Sequence, residues 1–277
     1  AVLRYVLAKA PEKPITLEVL DGKDAVVRSY TSETKPAVEA PGARAPRTLP
    51  AKPGMNQIVW DLRGEGVTRV PGVFTSVAPG RYKVRLKIAD AVLTEEVEVR
   101  KDPRSTGSAA DIEALVAFQQ QARERLEEIQ AAAIRVRKVR DQVKATTALV
   151  GDRPEGKAVV EAGKALGDKL TAWEETVVQP KQKTFQDVIN FRNMLNDQFG
   201  FLIDIGGEAD AAPTQGMHER LADLEPGLRH RLARRDQREL RERIVERQLL
   251  AGELRLGLEA ADLAAVVPGA PDGIVVP

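Results

Sequence analysis

Two short segments, each built around one large aromatic residue, constrain the fold of this chain most strongly. The first covers residues 56–63 and contains Trp60, and the second covers residues 78–84 and contains Tyr82. Both begin with residues that are common in turns, and a loop rich in glycine and proline separates them. Aromatic and β-branched residues bounded by turn residues are typical of strands. The N-terminal part of the chain is therefore predicted to be an all-β module.

Other strands are predicted around these two segments. Segments 2–7 and 15–20 alternate apolar and polar residues, and Asp21-Gly22 predicts a hairpin between 15–20 and 25–30. The last predicted hairpin has one face in water, because its polar residues alternate with apolar ones. The remaining predicted strands are 58–62, 82–88 and 92–99, and the predicted irregular loops are 35–54 and 64–79. Six or seven strands in about 100 residues are typical of an Ig-like or fibronectin-like β-sandwich.

Helical patterns begin after a predicted hinge at residues 101–104. From Ala109 to Leu149 apolar residues recur at spacings of three, four and seven, which predicts one very long helix with a narrow apolar stripe. Gln119 and Arg140 interrupt this stripe. Its members are Leu115, Ala122, Leu126, Ile129, Ala133, Val136 and Val143. We interpret the stripe as the core of a bundle within the chain, with a coiled-coil seam between two copies as the alternative.

Further helices are predicted towards the C-terminus. One ends near Gln179, the next runs without a break from about residue 184 to 206, and a third is expected to kink or split at Pro226. An Arg/Glu-rich helix is predicted at 236–263 and an irregular tail from Val267. The predicted fold class is two-part α+β. An Ig/fibronectin-like β-sandwich at 1–104 is followed by an antiparallel α-helical bundle with an irregular C-terminal tail at 105–277.

Charge and composition exclude several classes of function. The 277 residues include 42 Lys+Arg and 41 Asp+Glu, so no net field favours nucleic acid or an anionic membrane. The Arg-rich run at 229–235 is neutralised by glutamates that follow it at helical spacing. No apolar run approaches the ~20 residues of a membrane span. Cysteine is absent, which excludes disulfides, thiolate metal sites and a cysteine nucleophile.

The residues that most often carry chemistry do not form a recognisable site. His218 and His230 lie twelve residues apart on a predicted helix, about 120° around its axis, and neither has the i, i+4 partner of a helical zinc site. Asp61, Asp90 and Asp102 are interpreted as residues that cap turns and strand ends. No phosphate-binding loop or serine-hydrolase motif occurs. No catalytic, cofactor-binding or metal-binding residue is predicted.

Trp60 and Tyr82 are the candidate binding residues. Either ring would be able to stack on a sugar, and this contact is the weaker of two interpretations. The stronger one places both rings in the core of the sandwich.

The order of several short motifs resembles a known family. These are Val2–Leu20 with Asp21-Gly22 and Val26-Val27-Arg28, then Gly54, Asn56 and Trp60-Asp61-Leu62-Arg63, then Pro79-Gly80, Tyr82, Val84 and Leu86. This order resembles the Ig-like module of the flagellar hook-capping protein. More closely, it resembles the C-terminal region of bacterial sortilin-like proteins with BNR-type repeats, which are often labelled glycosyl hydrolases. Lys101-Asp102-Pro103-Arg104, the segment 186–191 and Ala212–Gln215 are also similar to that family.

The resemblance implies a particular setting for the chain. Members of the family carry a large N-terminal β-propeller with Asp-box repeats, and no such repeat occurs here. Any glycosidase activity would belong to that propeller, and no catalytic residue carries over onto this chain. Because such proteins are exported, a periplasmic or extracellular location is expected. The chain opens without methionine, already in a predicted strand, and is expected to be processed or part of a longer protein.

Three functions remain open at this stage. The first is a non-catalytic structural and interaction region that docks on the propeller or, through its helical bundle, on a protein partner. The second is an accessory or sugar-binding part of a glycoside hydrolase. The third is a component that assembles with itself into oligomers or filaments. The chain itself is expected not to be the catalytic part.

Overall fold

The fold is mixed α+β. The computed structural model describes residues 1–34, 47–67, 70–151, 153–182 and 187–232. Eight strands form antiparallel sheets, and helices follow them in the chain. The strands are β1 (Val2–Leu7), β2 (Thr16–Leu20), β3 (Val26–Thr31), β4 (Gly54–Val59), β5 (Arg63–Val67), β6 (Val70–Ser76), β7 (Gly80–Ile88) and β8 (Ala91–Val99). This α+β class confirms the coarse prediction from the sequence.

The sheets are small and antiparallel throughout. β3, β2, β7 and β8 form a four-stranded sheet in that order, β1 pairs with β4, and β5 pairs with β6. The two hairpins predicted from alternation, β2–β3 and β7–β8, are confirmed. In the first turn, a carboxylate oxygen of Asp21 accepts the N–H groups of Lys23 at 2.8 Å and of Ala25 at 2.9 Å. Such a turn is the reason that Asp-Gly predicts a hairpin.

The loop predicted at 64–79 is wrong, because β5 and β6 form a hairpin within it. Gly64 and Gly66 lie in β5, and a Cβ on them would come within 2.5 Å of Thr75 Oγ1 and 2.9 Å of the Phe74 ring. Glycine therefore marks a close approach of the two strands here. The strand predicted at 58–62 corresponds to β4, which lies earlier, at Gly54–Val59. Leu62 adopts a φ of 60°, so the extended strand cannot include it.

One apolar cluster joins the β1–β4 pair to the four-stranded sheet. β1 and β4 contribute Leu7 and Ile58, and the four-stranded sheet contributes Leu17 and Val19. Leu49, which lies outside the strands, is also buried in it. The other buried members are Ile15, Tyr30, Trp60, Tyr82, Leu86 and Val99. This core orients β1 and β4 so that their alternate residues point away from it.

The outer face of the four-stranded sheet is charged. The carboxylate of Glu18 on β2 forms ion pairs with Arg85 at 2.6 Å and with Lys87 at 2.8 Å, and both of these residues lie on β7. Partial burial raises the pKa of Glu18, but the hydrogen bonds and charges of Lys87 and Arg85 outweigh it, so that the pKa lies below its ordinary value. In the β7–β8 hairpin, β7 carries the predicted polar face, whereas β8 is exposed along most of its length and not on one face only.

The helical part begins with a capped helix. α1 (Ala109–Val150) is preceded by Ser108, whose hydroxyl accepts the N–H of Asp111 at 3.1 Å while the Asp111 carboxylate accepts the N–H of Ser108 at 2.8 Å. These reciprocal bonds form a capping box. A short 3₁₀ turn (Pro154–Gly156) leads into α2 (Lys157–Glu174). The long helix predicted from residue 109 is confirmed.

The helix predicted without a break from about residue 184 to 206 is wrong as one continuous element. α3 (Asp187–Asn190) and α4 (Leu195–Gly206) are separated by four non-helical residues. α4 starts afresh because the carboxylate of Asp197 accepts the N–H of Met194 at 2.9 Å, which satisfies a free donor at its N-terminus. Residues 215–232, at the end of the described chain, are helical and continue through Pro226 without a split. The helix and tail predicted beyond 232 lie outside the described residues.

The chain divides into two compact units, and the division falls within α1. Among the described residues, unit 1 draws on the ranges 1–130 and 179–224, and unit 2 draws on 131–178 and 225–232. The domain boundary at residue 104 stays a prediction.

Gln119 holds three elements of unit 1 together. Its side chain is fully buried in α1, where its Oε1 accepts the N–H of Ser76 from β6 at 2.8 Å. Its Nε2 donates to the carbonyl of Ile203 in α4 at 2.8 Å. The residue that interrupts the apolar stripe in the sequence is therefore the polar bridge between strand and helix.

Within unit 2, Glu174 has the corresponding role. The carboxylate of this buried α2 residue accepts Arg137 Nε at 2.5 Å and Arg140 Nη1 at 2.9 Å, both from α1. Arg140, the second interruption of the stripe, thus joins α1 to α2.

Replacing Gln119 by leucine should lower the free energy of unfolding by at least about 2 kcal/mol. The substitution leaves the N–H of Ser76 and the carbonyl of Ile203 buried without a partner, at a cost of about 1–3 kcal/mol each. Urea unfolding followed by circular dichroism measures the loss. Gln120→Leu, at the exposed neighbouring position, is the control. Equal effects of the two substitutions would contradict the bridging role.

Glu18 should stabilise the fold above its unfolded pKa and lose this contribution in acid. A folded pKa below the unfolded value of about 4.3 means that the contribution disappears as the pH falls through the folded pKa. Urea unfolding from about pH 6 to pH 2 should therefore show a stability difference between wild type and Glu18→Gln that shrinks with acid. Thr94→Ala, at an exposed position of β8 that has no titratable group, is the control. A difference independent of pH would refute the assignment.

Candidate interaction surfaces

The two candidate sugar-binding residues lie in the core of unit 1. Trp60 is fully buried and its ring meets that of Tyr82 edge to face, with centroids 5.5 Å apart. Trp60 Nε1 donates to the carbonyl of Arg63 at 3.0 Å, and the Tyr82 hydroxyl donates to the carbonyl of Ala78 at 2.6 Å. Burial raises the pKa of Tyr82. These contacts support the interpretation that both rings belong to the core. The sugar contact stays a prediction, and the buried ring of Trp60 does not support it.

The histidines and turn aspartates lie apart. His218 is exposed and its ring meets Phe118 edge to face at 5.2 Å, and His230 is also exposed. Asp102 accepts the N–H of Arg104 at 2.9 Å, and the bond from the Arg104 side chain lowers the pKa of Asp102. This geometry fits the turn-capping interpretation. Across the described ranges, no three His, Asp or Glu side chains come together as metal ligands.

An aliphatic face covers the outer side of β1 and β4. We define it by Val2, Val6, Met55 and Val59, which form the cross-strand pairs Val2–Val59 and Val6–Met55. Val6 is 70% exposed and Met55 is 74% exposed. Between the two pairs, Arg4 Nε donates to Gln57 Oε1 at 3.3 Å. The face is therefore two apolar pairs flanking one polar pair, all directed away from the core.

Local structure sets the register of this face. Buried Asn56 donates through Nδ2 to the carbonyls of Lys52 at 2.8 Å and Gly54 at 3.0 Å, and its Oδ1 accepts the N–H of Lys52 at 3.1 Å. Asn56 and Ile58 thereby point inward, so that Met55 and Val59 must point outward. A slip by one residue would bury the wrong set of side chains.

β8 forms an edge of the four-stranded sheet and is exposed along most of its length. Leu93 lies opposite buried Leu86 but is itself exposed. Glu95, Glu96 and Glu98 follow along the same strand. Charged residues on an edge strand discourage pairing with another chain. This edge is thus less suited to docking than the aliphatic face.

A groove separates α4 from the helix at 215–232. It has a volume of about 340 Å³, and its apolar lining comes from Phe201, Leu202, Ile205 and Met217. Among the described residues that line it, Arg220 is the only charged one. Arg220 also donates a hydrogen bond to Gln198 Oε1 across the groove.

Sequence reasoning missed both surfaces, although the signal for each was present. Segment 2–7 was expected to alternate, but Arg4 is its only charged residue, and such apolar runs are typical of strands that are covered on both faces. Similarly, α4 carries apolar residues on more than one side, which is typical of a helix with more than one neighbour. Alternation predicts where strands lie but not which of their faces are covered.

Comparison with known proteins gives no family for the chain. No protein-family model, no curated protein and no solved structure matches it. None of the described helices combines the length and the apolar character that a membrane span requires.

Trp60→Ala should lower the free energy of unfolding by about 3–5 kcal/mol, because it empties a large volume of the core and removes the bond to Arg63. Thermal and urea unfolding measure this loss. Val59→Ala, at the adjacent exposed position, should change stability by less than about 0.5 kcal/mol. A Trp60→Ala protein that keeps its stability would instead favour an external role for the ring.

Proposed function

We propose that this chain is a non-catalytic structural and interaction region of an exported β-propeller protein of the sortilin-like kind. In this proposal, β1–β8 form an Ig-like sandwich and the helices form an antiparallel bundle. The sandwich docks on the propeller, and the location is periplasmic or extracellular. The motif order supports the family, and the aliphatic face is the single observation that supports docking.

The area of the aliphatic face suits a tethered partner. Burial of a whole Val or Met side chain is worth about 1.5–3 kcal/mol, so that covering the four partly exposed side chains gains on the order of 4–7 kcal/mol. Loss of translational and rotational freedom offsets a similar amount when two free proteins associate. A domain joined to the same chain avoids much of this cost, because its effective concentration is in the millimolar range. The face therefore favours docking of a neighbouring domain.

The chemistry of the face also restricts what covers it. The two aliphatic pairs are best covered by an apolar surface of the partner. The Arg4–Gln57 pair between them needs hydrogen-bond partners on that surface or retained water. A sheet of a propeller blade offers alternating residues in a similar layout. Stacked sheets lie about 10 Å apart, which allows such side chains to interdigitate.

Hydrogen exchange tests the proposal on the propeller-containing protein. Residues 2–7 and 54–59 should be better protected there than in the chain 1–277 alone. The double substitution Val6→Lys with Met55→Lys should remove the added protection, because two cations cannot be buried without partners. Val26→Lys, at an exposed valine in the other sheet, should leave the added protection in place.

Three results would contradict the proposal. The first is equal protection with and without the propeller. The second is protection that rises with concentration in the isolated chain, which would favour self-assembly. The third is turnover of a glycoside by residues 1–277 that a single carboxylate substitution abolishes, which would make the chain catalytic.

A further inference from the structure

α4 has an apolar stripe that the core of unit 1 does not use. Its buried side carries Leu195, Phe199, Leu202 and Ile203. Phe201 and Ile205, which are 61% and 39% exposed, lie four residues apart and so form a separate stripe. Because the stripe runs along the helix axis for about 6 Å, it offers an elongated contact surface.

The opposite wall of the groove supplies a positive charge. The helix at 215–232 places Met217 and Arg220 three residues apart on the side that lines the groove. The bond to Gln198 occupies one of the five N–H donors of Arg220. No ion pair involves Arg220 within the part of the chain that the structure describes. A carboxylate entering the groove would therefore find a charged donor beside an apolar lining.

The size of the groove is compatible with a few inserted side chains. Its volume of about 340 Å³ lies at the lower end of the roughly 300–1,000 Å³ found for ligand sites. Two or three apolar side chains fill such a volume. A helix that docks in a groove inserts residues at i and i+3 or i+4, the spacing that Phe201 and Ile205 themselves have.

We propose that this groove binds an amphipathic, acidic helix of a partner protein. Apolar residues at i and i+4 of that helix pack on Phe201, Ile205 and Met217. An Asp or Glu beside them pairs with Arg220, and charge-assisted bonds of this kind are stronger than neutral ones. The inference is independent of the aliphatic face and of any propeller, because it concerns a different surface of unit 1.

Fluorescence anisotropy on the full chain tests the groove with two labelled helical peptides of about 16 residues. Both peptides carry leucine at i, i+4 and i+7, with flanking glutamates in one and flanking lysines in the other. The glutamate peptide should bind more tightly. Arg220→Glu should weaken binding of the glutamate peptide at least about tenfold and should strengthen binding of the lysine peptide. Phe201→Ser should weaken both.

Matched substitutions outside the groove distinguish a specific effect on the groove from a general effect of surface charge or of exposed apolar side chains on peptide binding. Lys164→Glu makes the same charge reversal on α2, and Leu149→Ser removes an exposed apolar residue from α1, so neither should change binding by more than about twofold. Circular dichroism checks that each variant is folded.

Three outcomes would overturn the proposal. One is that neither peptide binds at about 1 mM, the weakest range of specific recognition. Another is that Arg220→Glu and Lys164→Glu have equal effects. The last is that decanoate, a simple aliphatic carboxylate, binds the groove while both peptides fail, which would assign it to small amphipathic acids.

Discussion

The buried amide of Gln119 is the interaction on which unit 1 depends. It satisfies a backbone donor of β6 and a backbone acceptor of α4 from one position on α1. Burying an amide without hydrogen-bond partners costs free energy, and an amide with partners fixes the packing of the elements that supply them. Only one placement of the strand and the helix satisfies both the oxygen and the nitrogen of this side chain. The position of α4 relative to α1, and hence the groove beside α4, follows from this placement.

Several buried polar side chains in this chain are hydrogen-bonded, whereas several large apolar side chains are exposed. The buried side chains of Asn56, at the start of β4, and of Glu174, between α1 and α2, have hydrogen-bond partners. Apolar residues, in contrast, remain exposed on the outer side of β1 and β4 and on α4. Uncovered apolar stripes beside well-satisfied polar groups are typical of surfaces that contact other proteins. This contrast supports an interaction role over a catalytic one.

Errors in the sequence analysis have physical causes. The glycines and prolines of residues 64–79 predict a loop, but the missing Cβ atoms of Gly64 and Gly66 admit Thr75 and Phe74 of the paired strand. Apolar periodicity continued across residues 191–194, yet the carboxylate of Asp197 begins a new helix there. In both cases a contact between residues in space, or a single cap, overrides a pattern that is averaged over many positions.

Local periodicity in the sequence determined the β2–β3 and β7–β8 hairpins, the extent of the long first helix and its buried stripe. Periods of two and of three to four residues require no knowledge of distant parts of the chain. Tertiary structure alone decided that Trp60 and Tyr82 face each other in a core, that Gln119 joins a strand to a helix, and that two apolar faces stay uncovered. Whether a face is covered depends on which distant segment packs against it, and periodicity carries no information about that segment.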